Sequence, residues 1–183
     1  MAAIETTEQQ EFRKYCSAWL EEHRPPPTHI PLPQAAYEVT SEDHRGYLVD
    51  WQAKCYEAGL IATDVSKEYG GHGHDKFQQI AMTEVRKANV PYFINWIGLG
   101  MAAPTLLAHG TEEQKKSFLP PIFSGEDIWC QGFSEPGAGS DLVSLQTSAV
   151  KDGDNWVVNG SKVWTSLGHF AKWMLLLART DKN

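Results

Sequence analysis

Around residues 124–126 the apolar patterning of this chain changes its period. Upstream, apolar side chains recur at helical spacing. Downstream, apolar and polar residues alternate between closely spaced turn signals. A 3.6-residue period and a two-residue period demand different backbones. The chain must therefore build helices first and strands second, with the boundary near Ser124-Gly125. The expected fold class is α+β: an all-helical domain over residues 1–125, then an incomplete antiparallel β-barrel or sandwich over residues 126–183.

The helical part is punctuated clearly. Thr6-Thr7 ahead of Gln9-Gln10 reads as a capping box. Phe12, Tyr15, Cys16, Trp19 and Leu20 follow on one helical face, ending near Arg24. Pro25, Pro26, Pro27, Pro31 and Pro33 stiffen the next segment. It can be read as a proline-rich ligand, but a connector between helices fits better. Ser41 opens a second helix with Tyr47, Leu48, Trp51 and Cys55 on one face, and Gly59 closes it. Residues 68–73 form a glycine-rich turn with no strand before it and no lysine-serine pair after it, which argues against a phosphate loop. His72 and His74 lack a third ligand nearby, so no metal site is expected. Asp75 is expected to start a third helix carrying Phe77, Ile80, Ala81, Glu84 and Val85.

Residues 92–107 are apolar on every side, as a helix central to a core must be. Gly98, Gly100, Ala102 and Ala103 let neighbours approach it closely. Pro104 is expected to break or kink it, and Gly110 to end it. Thr111 and Gln114 form a second capping box, opening a short helix through Phe118 that Pro120-Pro121 should stop. In the β part, residues 129–133 and 144–150 read as strands. Asp152-Gly153-Asp154 turns the chain into Trp156-Val157-Val158. Asn159-Gly160 reads as another hairpin turn, with residues 162–166 running back and residues 173–179 forming a further strand.

Composition narrows the function classes. A net charge of -7 argues against a nucleic-acid surface. The 3 cysteines, Cys16, Cys55 and Cys130, are far apart and show neither disulfide nor metal spacing, which suits a reducing compartment. The acidic N-terminus has no apolar core and little arginine, so a cytoplasmic location is expected. The longest apolar run, residues 173–178, is too short to span a bilayer.

Two stretches carry the chemistry. In the first, residues 129–141, a strand-like run breaks into Glu135-Pro136-Gly137-Ala138-Gly139-Ser140-Asp141. Pro136 restricts the backbone there. Gly137 and Gly139 permit positive φ and close approach of another molecule, and Ser140 adds a hydroxyl among backbone N–H groups. Such a loop can contact pyrophosphate without a full charge. It is not a Walker loop, and Leu142 stands where a dinucleotide fingerprint needs its third glycine. Alone, it could equally be a strand-to-turn junction. The second stretch, residues 159–166, ends in Trp164, Thr165 and Ser166: one aromatic face and two hydroxyls, a set suited to a flat heteroaromatic ring.

Together these stretches resemble the acyl-CoA dehydrogenase family. The likeness covers residues 132–141, the family's first signature, and residues 160–166, its flavin-facing strand, and extends to residues 68–73 and Trp129. Phe133 departs from the family's usual aliphatic residue, and Thr165-Ser166 stands where Ile-Thr is common. The resemblance implies FAD as cofactor and the oxidation of an acyl-CoA thioester to its trans-2-enoyl form, as in fatty acid β-oxidation. A carboxylate takes a C2 proton and a hydride leaves C3 for flavin N5. It further implies that Gln131 and Gly132 complete the cofactor strand and that Phe133 and Ser134 line the pyrimidine edge. Gly139 and Ser140 would meet the pyrophosphate, with Ser140 also touching the CoA moiety. Trp164, Thr165 and Ser166 would face the ring, Ser166 near N5. Small residues in 92–107 would leave room for the acyl chain.

The family's base is a glutamate from a third, helical domain, expected beyond Asn183, so no catalytic residue is assigned in this chain. Glu135 reads better as a turn carboxylate accepting backbone N–H groups. The implied partners are acyl-CoA, an electron-transfer flavoprotein or similar acceptor, and further subunits of the same or another chain. Two alternatives stay open: an acyl-CoA oxidase, and a non-catalytic half-subunit that lends a flavin and acyl-CoA surface to a partner chain.

Overall fold

The computed structural model describes residues 5–74 and 76–181. Helices come first: α1 (Thr7–Glu22), α2 (Glu42–Glu57), α3 (Gln78–Lys87), α4 (Ala103–His109) and α5 (Glu112–Ser124). Short strands follow: β1 (Trp129–Gly132), β2 (Ser148–Asp152), β3 (Asn155–Asn159) and β4 (Trp173–Leu176). This is the helical-then-β order that the change of period requires. None of the described helices is long and apolar enough to cross a membrane.

Local signals set most helix ends. Thr6 and Gln9 form one capping box and Thr111 and Gln114 the other, while the Ser41 hydroxyl caps α2. Gly59 leaves α2 with φ at 77°, a left-handed conformation that glycine adopts without steric cost. The expected start of the third helix, Asp75, lies outside the described residues; α3 itself begins at Gln78.

Two proline expectations are corrected. Pro104 does not break its helix. A π-turn, Gly98–Ala102, leads directly into α4, and Ala103 N–H bonds back to Gly98 O. The widened turn accommodates the proline within the first turn of α4. Pro120 and Pro121 do not stop α5 either, which runs on to Ser124. The carbonyls they deprive of partners belong to Lys116 and Ser117, both exposed, so water can satisfy them.

The end of α5 is held by buried amides. Gln52 Nε2 donates to Ile122 O at 3.1 Å and Phe123 O at 3.2 Å. Asn95 Nδ2 donates to Ile122 O at 3.0 Å and Asp127 O at 2.9 Å. Asn95 N–H meets Gln52 Oε1, and Asn95 Oδ1 accepts Trp129 N–H at 2.9 Å. Both side chains are fully buried. Gly98 belongs to the same device, since a Cβ there would fall 2.4 Å from Asn95 Oδ1.

The core joins both parts of the chain. Trp51, Cys55, Leu60, Ile97, Leu119, Ile122 and Phe123 pack in one cluster that includes Trp129 from β1. A second cluster gathers Val39, Leu48, Ile94, Ile128 and Leu167.

The β part pairs differently from the expected run of hairpins. β2 and β3 are antiparallel around Gly153-Asp154, with Gly153 at φ 59°. β1 and β4, however, pair in parallel, Trp129 opposite Trp173 and Gly132 opposite Leu176. Their long separation in sequence allows this, because parallel strands need a crossover. The Asp127 carboxylate sets the pairing by accepting Lys172 Nζ and Trp173 Nε1, each at 2.8 Å. Residues 162–166 form no strand, and Asn159-Gly160 is no hairpin turn. Gly160 is where the backbone passes Thr147, and an added Cβ would lie 2.2 Å from its hydroxyl oxygen. The sheets do not close among the described residues.

Candidate functional site

The two motif stretches meet edge to edge. Past β1, the N–H of Val163 donates to Ser134 O at 2.9 Å. Lys162 Nζ crosses the same gap and donates to Phe133 O at 3.0 Å and Glu135 Oε1 at 2.8 Å. Glu135 and Ala138 exchange backbone hydrogen bonds, closing a tight turn whose tip, Pro136-Gly137, is exposed. Residues 133–135 and 162–166, separate in sequence, thus form one surface.

Glu135 is a fully engaged carboxylate. Besides Lys162, it accepts Gln146 N–H at 2.6 Å and Thr147 N–H at 2.8 Å. The side chains of Glu135 and Lys162 are each 7% exposed. The Lys162 ammonium, with these donors, holds the Glu135 carboxyl down to about 2, well below the usual carboxylate range. Such a group is a poor proton acceptor near neutrality. The structure therefore bears out its reading as a turn carboxylate. Lys162 is the residue that sequence reasoning missed here; its only signal was a cation two residues after Gly160.

The remaining site residues divide into packed and open ones. Gln131 is half-buried in β1. Gly132 is buried, and a Cβ there would meet Met174 Sδ at 2.5 Å, so its smallness serves strand packing. Phe133 lines a hollow of about 430 Å³ with Gly100, Pro104 and Leu175. Gly139 and Ser140 lie on the exposed loop past the turn. Neither Gly137 nor Gly139 has positive φ, which corrects one reason for expecting glycine there. Nothing lies within 4 Å of where their side chains would begin, so the other reason, close approach from outside, stands.

Trp164 is the most unusual member. It is 84% exposed and its φ is 59°. A bulky residue in that region carries strain, which folds retain where other constraints impose it. The constraints are visible on both sides: Val163 is tied to Ser134, and Leu167, also at positive φ, is buried at 1%. The segment is thereby pinned at both ends while the indole projects outward. Thr165 and Ser166 follow, half-buried. An exposed aromatic face, adjacent hydroxyls and an open glycine loop fit a planar heteroaromatic ring joined to a phosphate-bearing tail.

A second hollow, of about 540 Å³, lies on the helical side. Apolar side chains dominate its walls, among them Ile61, Met82, Phe93, Trp96 and Leu99. Gly100 and Pro104 line this hollow and the one beneath Phe133, so the π-turn separates the two. No group of acidic, histidine or cysteine residues among the described residues could hold a metal ion.

Comparison with known proteins agrees with this arrangement. Residues 6–126 match the acyl-CoA dehydrogenase N-terminal domain, and residues 130–183 the acyl-CoA dehydrogenase middle domain. Acyl-CoA dehydrogenase IpdE1 of Mycobacterium tuberculosis is 46% identical over 134 residues, which are 73% of this chain and 35% of that protein. The ChsE4-ChsE5 complex from Mycobacterium tuberculosis superposes with a TM-score of 0.72 at 35% identity, over 100% of this chain and 44% of that one. The Tcur3481-Tcur3483 steroid ACAD gives 0.74 at 34% identity, over 100% and 46%. The chain spans about a third of the length of the curated relatives it matches. With both domain matches, covering most of its residues in the order the fold presents them, the chain belongs to the acyl-CoA dehydrogenase family.

Proposed function

We propose that this chain supplies the helical part and part of the β part of an FAD-dependent acyl-CoA dehydrogenase. The reaction would be α,β-dehydrogenation of an acyl-CoA thioester. Proteins of the family bind FAD. One observation carries the reading: the Val163–Ser134 hydrogen bond sets Phe133 and Ser134 beside Trp164, Thr165 and Ser166 on one accessible surface.

Bound FAD supplies the hydride acceptor, and this chain's residues would hold and shape its surroundings. Trp164 would cover a ring face. Phe133 and Ser134 would line one ring edge, with Gln131 and Gly132 setting the strand behind them. Thr165 and Ser166 would offer hydroxyls at another edge. Gly139 and Ser140 would lie along the pyrophosphate, Ser140 also reaching the CoA moiety. The apolar hollow beside the π-turn would receive the acyl group. Proton removal at C2 needs a carboxylate within hydrogen-bond reach. Glu135 is committed to Lys162 and two amides, so it would not be that carboxylate. The electron acceptor would be an electron-transfer flavoprotein or a protein like it. We place the division between the two parts at residues 125–126.

The two-chain names of the solved relatives, ChsE4-ChsE5 and Tcur3481-Tcur3483, favour a second reading. In it, the chain lends its flavin and acyl-CoA surface to a partner chain and turns over nothing alone. Reconstitution separates these proposals from their failure. A folded full-length protein or complex containing this chain should retain FAD through gel filtration and show flavin absorbance. A folded preparation that cannot be reconstituted with FAD would remove the reading.

A further inference from the structure

The open loop that carries Gly139 and Ser140 runs into a segment in which every carbonyl from residue 141 to residue 145 has a donor. Ser144 donates to Asp141 O from its N–H at 3.2 Å and from its hydroxyl at 2.8 Å. Leu145 N–H donates to Leu142 O at 3.2 Å, and Gln146 Nε2 to Ser144 O at 2.8 Å. The two remaining carbonyls go to one side chain from far along the sequence. Arg179 donates from Nε to Leu145 O at 2.6 Å and from Nη2 to Val143 O. A guanidinium suits this task because its rigid fork reaches two acceptors at once, which an ammonium does not.

Arg179 is itself fixed. Its N–H donates to Thr147 O and its carbonyl accepts Ala149 N–H, each at 2.8 Å. It follows β4, which pairs with β1, the strand that leads into Phe133 and Ser134. The loop is therefore held at both ends, by the Glu135–Ala138 turn before it and by Arg179 after it. Between these ends, the N–H groups of Gly139, Ser140 and Asp141 make no hydrogen bond among the described residues. With the carbonyls engaged and these amides free, the loop offers donors rather than acceptors, as an anion requires. Both acceptors of Arg179 are neutral, so its guanidinium keeps its charge beside the loop. The opposing charge of Asp141 is exposed to water and screened.

We propose that Arg179 is a positioning residue for the cofactor. By holding Val143 O and Leu145 O it keeps the amides of residues 139–141 free for the FAD pyrophosphate. This rests on the FAD reading above and adds to it a residue that acts through the loop and touches no part of the flavin ring.

The test uses the full-length protein or complex that contains this chain, stripped of flavin and titrated with FAD. Arg179→Met should weaken FAD binding by about tenfold, and Arg179→Lys, which keeps the charge but loses the fork, should weaken it less. At saturating FAD, the phosphorus resonances of the bound pyrophosphate should move in Arg179→Met while the flavin absorption band stays in place. A merely structural role would not move the first without the second. Amide hydrogen exchange of the unaltered protein gives a readout independent of any variant's folding: FAD should protect residues 139–141. Unchanged FAD affinity in folded Arg179→Met, weakened binding with unmoved phosphorus resonances, or bound FAD that leaves residues 139–141 unprotected would each overturn the role of Arg179. In all three cases FAD still binds the unaltered protein, and the FAD reading stands. Failure of the unaltered protein to bind FAD would instead overturn that reading, and this inference with it.

Discussion

The ammonium of Lys162 lies 2.8 Å from Oε1 of Glu135, and each side chain is only 7% exposed. This contact ties the turn after β1 to the segment that presents Trp164. It also has a pH signature. The folded Glu135 carboxyl is held down to about 2, below its value in an unfolded chain. Its contribution to stability is therefore complete above the ordinary carboxylate range and is lost as pH falls toward 2. Thermal denaturation from pH 6 to pH 2 should show a fall in Tm that is smaller in Glu135→Gln. An unchanged profile in that variant would show that the pair carries none of the acid sensitivity.

Asn95 should be the most sensitive polar position in the core. Its side chain serves Ile122 O, Asp127 O and Trp129 N–H at once, joining α5 to β1. Asn95→Ala leaves buried groups unpaired and should cost about 2–4 kcal/mol in urea denaturation. A loss below about 1 kcal/mol would mean that water or a neighbour replaces the amide.

Asn95 also marks where sequence reading runs out. The helices were legible because caps and apolar periodicity are local, as Thr6 with Gln9 and Thr111 with Gln114 illustrate. The change of period near Gly125 gave the order of the two parts. Pro120-Pro121 misled because the carbonyls they leave without partners, at Lys116 and Ser117, are exposed to water, while the end of α5 is held from afar by the amides of Gln52 and Asn95. The parallel pairing of β1 with β4 was hidden for the same reason, since Asp127 meets Trp173 only in space. Asn159-Gly160 carries a hairpin sequence, yet its glycine answers to Thr147. In the site, the turn role of Glu135 was legible from its motif, whereas its pairing with Lys162 needed the fold.

Gly160→Ala should separate the two motif stretches. The new Cβ would lie 2.2 Å from Thr147 Oγ1 and 2.7 Å from Thr147 Cα, so backbone must move. We expect a loss of about 1–3 kcal/mol and weaker FAD retention. Gly137→Ala, where nothing lies within 4 Å, should leave stability unchanged. Equal stability and equal FAD retention in both variants would contradict the role given to the Thr147 contact.

Ser166→Ala tests the flavin-facing assignment. A single neutral hydrogen bond contributes about 0.5–1.5 kcal/mol to stability, so the fold should survive. Flavin reduction by substrate should slow by more than the change in Tm would suggest. Stopped-flow reduction at the original rate in a folded variant would remove Ser166 from the site.

The most direct test is anaerobic reduction of bound flavin by acyl-CoA, comparing the 183-residue chain with the full-length protein or complex that contains it. The assembly should bleach its flavin, and Glu135→Gln should still do so, because Glu135 is engaged by Lys162, Gln146 and Thr147. The isolated chain should produce no bleaching with any acyl-CoA. Bleaching by the isolated chain that Glu135→Gln abolishes would contradict the account, making Glu135 the base that its contacts with Lys162, Gln146 and Thr147 argue against.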